Sequence, residues 1–449
     1  MGILCLSLFS SHLSFSQDFE GYYTTDNTGV IGVFSNPAGI AGSRYRWDVN
    51  VFSVGLMAGN DNASYRLPDI VHFADGDRLK RWITGINGGV TISMSSINLL
   101  GPSVMFGVGK KGAFAFTSRA RVMINTKQVD GKLLNQFVKE EVDDPELPYH
   151  FSMNGESRMS VNGWTEFGAS YGRVILDKGR HYLKGGITLK YLAGAANGYL
   201  QLSNVKGTLN TDQNGVYLSE TTGGLAIGMS GTLIDDISNG DLVTFKSSGV
   251  GGDAGFIYEF RPKPDEYMFK AGVALRDVGF IRYTRDESRS GAYNVSITGL
   301  ERVHLYELGG VDDYNQYFKD YPQYFTPVST GNGSKYNVSL PANLRFDLDY
   351  HIYEGLYAAL SGQFSLAGDK FYNSSYYNTY TLTPRWKGRN YGIYLPASYS
   401  TLSHFNMGLG LWVGPFFIGS GSLLSALAGE NSKQADLYLG VHFGGLRKR

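Results

Sequence analysis

Few residues in this 449-residue chain are spaced for chemistry. Asp347 and Asp349 stand two apart, with Arg345 two places before them. Side chains on a strand alternate between faces, so all three share one face, with the two carboxylates ~6.5–7 Å apart. Two carboxyl groups on one face can divide acid and base duties. The arginine beside them favours the other reading, a salt-bridge network in which perturbed protonation is structural. The segment Asn210-Thr211-Asp212-Gln213-Asn214-Gly215 has the spacing that opens an EF-hand loop, with glycine at its sixth position. Its twelfth position is Thr221, and the nearest acid, Glu220, falls one place early. A polar turn is therefore the better reading, and no metal is expected there.

No His-Glu-x-x-His, Gly-x-Ser-x-Gly, phosphate-loop or paired-cysteine pattern occurs. The eight histidines are scattered, and the single cysteine, Cys5, lies in the segment read below as a leader. The chain reads as non-enzymatic, with no catalytic residue, metal ligand or cofactor expected. Its net charge is zero, from 40 basic and 40 acidic residues, and no basic stripe carries interleaved aromatics. That argues against a nucleic-acid partner.

The elements that carry these residues are strands. Glycine (59), tyrosine (31) and phenylalanine (26) are abundant, proline (13) is sparse, and charged residues make up only 18%. No apolar run reaches the ~18–20 residues of a spanning helix. Apolar and polar residues alternate instead. Val338, Leu340, Ala342, Leu344, Phe346, Leu348 and Tyr350 read as one face, against Asn337, Ser339, Pro341, Asn343, Arg345, Asp347 and Asp349. Leu356–Leu366, Tyr182–Leu192, Ala113–Asn125 and Leu437–Phe443 repeat the pattern. Short turns such as Gly109–Gly112, Asp177–Arg180 and Tyr353–Gly355 alternate with long polar connections, about 60–87, 126–157, 203–241 and 284–334. That rhythm predicts an all-β fold: one antiparallel transmembrane barrel of about 14 strands, with both termini at the short-turn side. Helical stretches are expected at Arg78–Ile83 and Val311–Tyr321 in the long connections. A one-residue phase slip at Leu275-Arg276-Asp277-Val278 predicts a bulge, which in a barrel wall could open a lateral gap.

Residues 1–16 read as a signal peptide cleaved before Gln17, residues 17–45 as a turn-rich N-terminal segment and residues 46–449 as the barrel. The inward faces are polar. Arg119, Arg121, Glu166, Arg345, Asp347 and Asp349 are the candidate network in the lumen. Charged groups there oppose passage of apolar ligands, which prefer apolar linings.

The order of leader, a short segment carrying Asn36, Pro37, Ala38 and Gly39, and then a barrel resembles the FadL/PorV superfamily of outer-membrane barrels. Leu382-Thr383-Pro384-Arg385-Trp386, Gly392-Ile393-Tyr394-Leu395-Pro396 and Gly414-Pro415-Phe416-Phe417-Ile418-Gly419-Ser420 resemble more specifically an uncharacterised family of unknown function within that group. The resemblance implies an integral protein of the Gram-negative outer membrane, with membrane lipids as surroundings and residues 17–45 as a hatch plugging the lumen. Two functions follow from it. One is passive passage of small amphipathic molecules past the hatch. The other is a closed barrel serving as a scaffold or interaction partner for other cell-envelope proteins, at the surface or in secretion.

Overall fold

The structure is a computed structural model that describes residues 19–61, 90–131, 133, 147–231, 247–263, 266–308, 314–329, 334–368, 370–428 and 432–447. The expected leader and the expected helix at Arg78–Ile83 lie outside these residues.

Among the described residues, fourteen antiparallel staves close into one barrel. In chain order they are Tyr45–Asn60; Val90–Leu100 continued by Ser103–Val108; Gly112–Asp130; Glu156–Lys178; His181–Asp212; Ser247–Phe260; Phe269–Thr284; Lys335–Ser339 continued by Asn343–Tyr353; Leu356–Ser365; Thr379–Lys387; Tyr391–Tyr394 continued by Ala397–Ser400; His404–Met407 continued by Leu409–Val413; Phe416–Ser420; and Gln434–Leu446. The last pairs with the first, from Tyr45↔Leu446 to Gly59↔Gln434, so the sheet has no free edge in the wall.

The wall is inverted relative to a water-soluble core. Leu189 is 70% exposed on the outside, while its neighbour Lys190 is 6% exposed inside. Ile97, Leu99, Phe116, Ile187, Val250, Phe256 and Leu382 also face outward, and Thr188, Asn98, Arg121 and Thr383 inward. An apolar band outside and a polar interior are what lipid demands of a barrel.

Three stretches depart from the sequence expectation. The connection at 203–241 is not a polar loop. The strand His181–Asp212 runs on beyond the wall and turns back as Gly215–Gly231, pairing from Ala196↔Gly231 to Asp212↔Gly215. Gly291–Ile297, Val303–His304 and Phe325–Pro327 extend this sheet, and the expected helix in the region occupies Tyr314–Asp320. From the sequence a strand start is expected near Leu99, whereas the second stave begins at Val90. Finally, the single apolar face read across 338–350 changes side within its stave. Tyr336, Val338 and Leu340 are buried inward, while Leu348 and Tyr350 face out. The switch falls at Leu340-Pro341-Ala342, where Pro341 has no N–H to give the ladder and Ala342 N donates to Leu340 O at 2.8 Å.

The phase slip at 275–278 is a bulge in the neighbouring stave. Pairing with Ser247–Phe260 jumps from Leu275↔Ala254 to Val278↔Gly252, and Asp277 adopts a left-handed φ of 55°. The break at Pro341 lies opposite, and Leu340 N donates to Gly279 O across the seam at 3.0 Å. The bulge turns both Arg276 and Asp277 into the lumen, where they are buried.

Candidate functional site

The lumen holds four layers, from the short-turn end to the long-connection end. The first is a cavity of about 960 Å³ lined by the turns, by inner-wall residues and by one side of the N-terminal segment, including Tyr23, Asp26 and Gly39.

The second layer is the N-terminal segment itself. It folds as three 3₁₀ turns, Tyr22–Thr24, Gly29–Phe34 and Pro37–Ile40. Asn36 caps the third turn, accepting from Ala38 N at 3.0 Å, with Pro37 at the first helical position where a missing N–H costs nothing. The other end of the same amide donates to the backbone carbonyls of Phe256 and Val273 at 3.2 Å each. Three wall glycines give the turn its seat: Gly172 pairs with Gly186, and Gly186 with Gly255. A Cβ on Gly172 would lie 2.7 Å from Ile40 Cγ1, and one on Gly186 2.5 Å from Ala38 N. Only glycine lets the two backbones approach so closely.

Phe19, Tyr22, Val30, Ile31, Val33, Phe34 and Ile40 form an apolar cluster with the wall residues Leu100, Met105, Tyr394, Trp412, Phe417 and Tyr438. Tyr22 stacks on Phe417 with centroids 3.9 Å apart. Asp48, His442 and Tyr22 form a chain: His442 Nδ1 lies 2.9 Å from Asp48 Oδ2, and Tyr22 Oη lies 3.0 Å from His442 Nε2. That is the order of a catalytic relay. All three residues are, however, fully buried in the seam between segment and wall, and the Tyr22 hydroxyl donates to Asn27 O. The chain fastens the segment to the wall and reaches no substrate. At the cavity side, Asp26 Oδ2 meets Lys387 Nζ at 2.6 Å, and Oδ1 lies 3.8 Å from Lys270 Nζ. Burial pushes the Asp26 carboxyl up, but Lys387, Lys270 and Arg385 outweigh it and hold the group well below the usual carboxylate range. On the opposite side Glu20 is buried beside Asp436. Burial and then that charge push Glu20 up to about 7, against hydrogen bonds from Thr381, Ser398 and Gln434.

The third layer is a charge cluster. Glu166 accepts from Arg119 at 2.8 Å and Arg121 at 3.1 Å. Asp277 meets Arg119 at 3.2 Å, Arg121 at 3.1 Å and Lys190 at 2.6 Å. Lys190 also meets Asp253 at 2.8 Å, and the Asp277 backbone N–H donates to Asp253 Oδ1 at 2.7 Å. The ion-paired groups, three cations and three carboxylates, thus balance, all of them buried, while the buried Arg276 beside them donates to the neutral acceptors Asn343 and Gln363. The N-terminal segment touches this layer through Phe34: its ring lies 4.8 Å below the Arg119 guanidinium, and its carbonyl accepts from Arg276 at 3.0 Å.

The fourth layer is the connection between the staves Leu356–Ser365 and Thr379–Lys387, which folds into the barrel instead of away from it. Tyr372 O accepts from Asn162 at 3.2 Å and Asn197 at 3.1 Å, Asn373 O accepts from Ser160 at 3.2 Å, and Ser375 O accepts from Asn125 at 2.9 Å. Arg121 donates to the Tyr376 hydroxyl, joining the third layer to the fourth. Tyr376 and Tyr377 are buried with Tyr199, Tyr283 and Tyr336, and Phe371 and Tyr372 pack on that cluster.

The six candidate lumen residues therefore fall into three groups. Arg119, Arg121 and Glu166 share the charge cluster. Arg345 pairs with Asp347 at 2.6 Å, near Tyr23 of the N-terminal segment. Asp349 pairs with Arg385 at 2.7 Å and Lys270 at 3.2 Å, and accepts from Tyr267 at 2.8 Å. Asp347 and Asp349 each have their own arginine and do not act on a common point. Asp277, Lys190 and Asp253 complete the cluster and were not singled out as site residues; the phase slip at 275–278 was the visible trace of Asp277. In the EF-hand-like turn, the Asp212 carboxylate accepts from Asn214 N at 2.8 Å and pairs with Arg302 and His304 at 3.1 Å each, so its oxygens are already engaged.

A model of a family of unknown function, DUF5723, matches residues 37–421. No curated protein matches. Among solved structures, a mutant of the monoaromatic hydrocarbon channel TodX is 9% identical, covering 96% of this chain and 97% of its own, with a TM-score of 0.48. The Ralstonia pickettii toluene transporter TbuX is 12% identical, over 93% of this chain and 94% of its own, with a TM-score of 0.42. A Pseudomonas aeruginosa FadL homologue is 9% identical, over 96% and 100%, with a TM-score of 0.34.

Proposed function

We propose that this chain, which belongs to the DUF5723 family of unknown function, is an integral barrel of the Gram-negative outer membrane that is closed at rest and serves as an interaction module for other envelope components. The short turns then face the periplasm and the strand extension rises from the cell surface. The single observation that carries this reading is that the lumen above the N-terminal segment is filled twice. A balanced charge cluster closes its middle, and the 370–378 connection, held by hydrogen bonds from three staves, closes its outer end. Buried ion pairs add little net stability but resist partial opening, because each separated partner becomes an uncompensated buried charge. Residues 17–45 act as a plug in this account, seated on the glycines and fastened through Asn36.

Liposome flux tests it. The intact protein passes neither a small charged dye nor an amphipathic one, and deleting residues 17–42 leaves the middle and outer layers in place, so flux stays at background. Flux through the intact protein, lost when the barrel is denatured, overturns the closed reading. It would favour the second one, passage of small amphipathic molecules past the plug, for which the wide cavity beneath the plug is the supporting feature.

A further inference from the structure

The cavity beneath the plug is not neutral like the chain as a whole. Of its lining side chains ten are lysine or arginine and five are aspartate or glutamate. The acids are mostly engaged inside: Glu259 with Lys184 at 2.6 Å, Asp349 with Arg385, Asp347 with Arg345. On the rim, Lys110, Arg180 and Arg389 make no ion pair among the described residues. A concave site lined by one sign of charge between low-dielectric walls focuses its potential and gathers counter-ions. Its volume of about 960 Å³ lies at the upper end of the range for small-molecule sites. At its blind end one carboxylate is already bound. Asp26, contributed by the plug, sits between Lys387 and Lys270, and all three side chains remain partly exposed to the cavity at 24%, 32% and 19%.

We propose that this vestibule is a binding site for a small polyvalent anion bearing two or more carboxylate or phosphate groups, with Asp26 as its built-in competitor for Lys270 and Lys387. A monovalent anion offers no more than Asp26 already supplies. A polyvalent one engages the inner lysines and the unpaired rim cations together, and its second charge offsets the loss of the tethered carboxylate. Filling the site therefore releases Asp26 and the Thr25–Thr28 side of the plug, while the glycine seat and the Asn36 contacts on the far side of the segment stay in place. The inference concerns binding and does not depend on whether the lumen conducts.

Calorimetric titration of the full refolded chain in a zwitterionic detergent tests it. Pyrophosphate and citrate serve as phosphate and carboxylate probes, at ionic strength held constant with sodium chloride. The intact protein binds at least one of them saturably at one site. Asp26→Asn removes the competitor and tightens binding about fivefold, the factor expected of a partly exposed ion pair. The rim double variant Arg180→Ala/Arg389→Ala changes two exposed side chains that support nothing in the fold and weakens binding by a similar factor or more. Heats no larger than the salt control for both probes overturn the proposal. So does an Asp26→Asn affinity equal to or weaker than that of the intact protein, or a rim variant with unchanged affinity.

Discussion

Replacing Asp277 by asparagine isolates what the mid-lumen cluster contributes. The position is a stringent one because Asp277 touches all three cations, at 2.6 Å from Lys190 and 3.1–3.2 Å from the two arginines. Its left-handed φ of 55° tolerates asparagine nearly as well as aspartate, so the bulge survives and only the charge goes. The cluster then holds three cations against two carboxylates, with no solvent to take up the difference. Removing one partner from a buried pair costs about 3–5 kcal/mol, because the remaining charge is left uncompensated. Lys190→Met errs in the other direction, leaving three carboxylates against two arginines at a similar cost. The double variant restores balance and is expected to be more stable than the sum of the singles by about 2–3 kcal/mol, in the upper range of coupling between contacting groups. Equilibrium unfolding in urea of protein refolded into lipid vesicles, followed by the mobility of the folded barrel on unheated gels, gives all four corners of the cycle. A cost below about 1 kcal/mol for Asp277→Asn, or strict additivity, would mean that water reaches the cluster and would refute the picture of a dry, charge-balanced layer.

Glu20 predicts a pH dependence. Its unfolded carboxyl ionises near 4.5 while the folded one keeps its proton to about 7, so its contribution to stability is fullest below pH 4.5, declines as pH rises to 7 and is flat beyond, by about 3 kcal/mol in all; the difference in unfolding free energy between the intact protein and Glu20→Gln falls by that amount across the window. Gly186→Ala drives a methyl into the Pro37–Ala38 backbone and costs about 1–3 kcal/mol, with faster amide exchange across residues 29–40, whereas Gly198→Ala in the same strand, which meets nothing within 4 Å, leaves both unchanged. Asn162→Ala with Asn197→Ala removes both donors to Tyr372 O and exposes the 370–378 connection to protease from outside, at about 1–3 kcal/mol for the orphaned carbonyl.

The staves were legible because lipid writes a strong signal into a strand. An outward apolar residue every second position, as in Ile187, Leu189 and Tyr191 against Thr188 and Lys190, has no other ready explanation once the turns are short on one side only. The same physics explains the misses. Beyond the wall the strand continuing to Asp212 and its return Gly215–Gly231 bury Val205, Leu209 and Val216 in a small apolar cluster, but register shifts at 203–208 and left-handed Asn204 and Glu220 interrupt the alternation, so the segment reads as loop. Pro341 sits in a run whose alternation looks unbroken, and the change of face shows only in the ladder, where a missing N–H forces it. Polar inward residues could be identified one by one, yet their grouping could not, because Arg119 faces Glu166 only through the register of adjacent staves and Asp277 joins them from a stave far along the chain. The glycine seat was silent for a simpler reason: glycine has no side chain to contribute to a hydropathy pattern, and Gly172, Gly186 and Gly255 acquire meaning only when Ile40, Pro37 and Asn36 are set against them.

The N-terminal segment and the inserted connection are held by different proportions of apolar packing and polar bonds. The N-terminal segment's attachment is largely apolar and close-packed, through Tyr22 on Phe417 and the Phe19–Ile40 cluster, with its polar ties at Asn36, Asp48 and Asp26. Such packing is lost together or not at all, since withdrawing one turn opens a cavity under the rest. The 370–378 connection combines aromatic packing, Tyr376 and Tyr377 with Tyr199, Tyr283 and Tyr336, with a larger share of separate amide and hydroxyl bonds from Asn125, Ser160, Asn162 and Asn197. An outer surface built on the connection, above a charge cluster and an N-terminal segment that stay fixed, suits the proposed interaction module better than a conduit. A conduit would have to unseat the apolar N-terminal segment, separate Asp277 from its three cations and withdraw the connection in one event, and the penalties of the first two alone exceed what a weakly held passing solute returns.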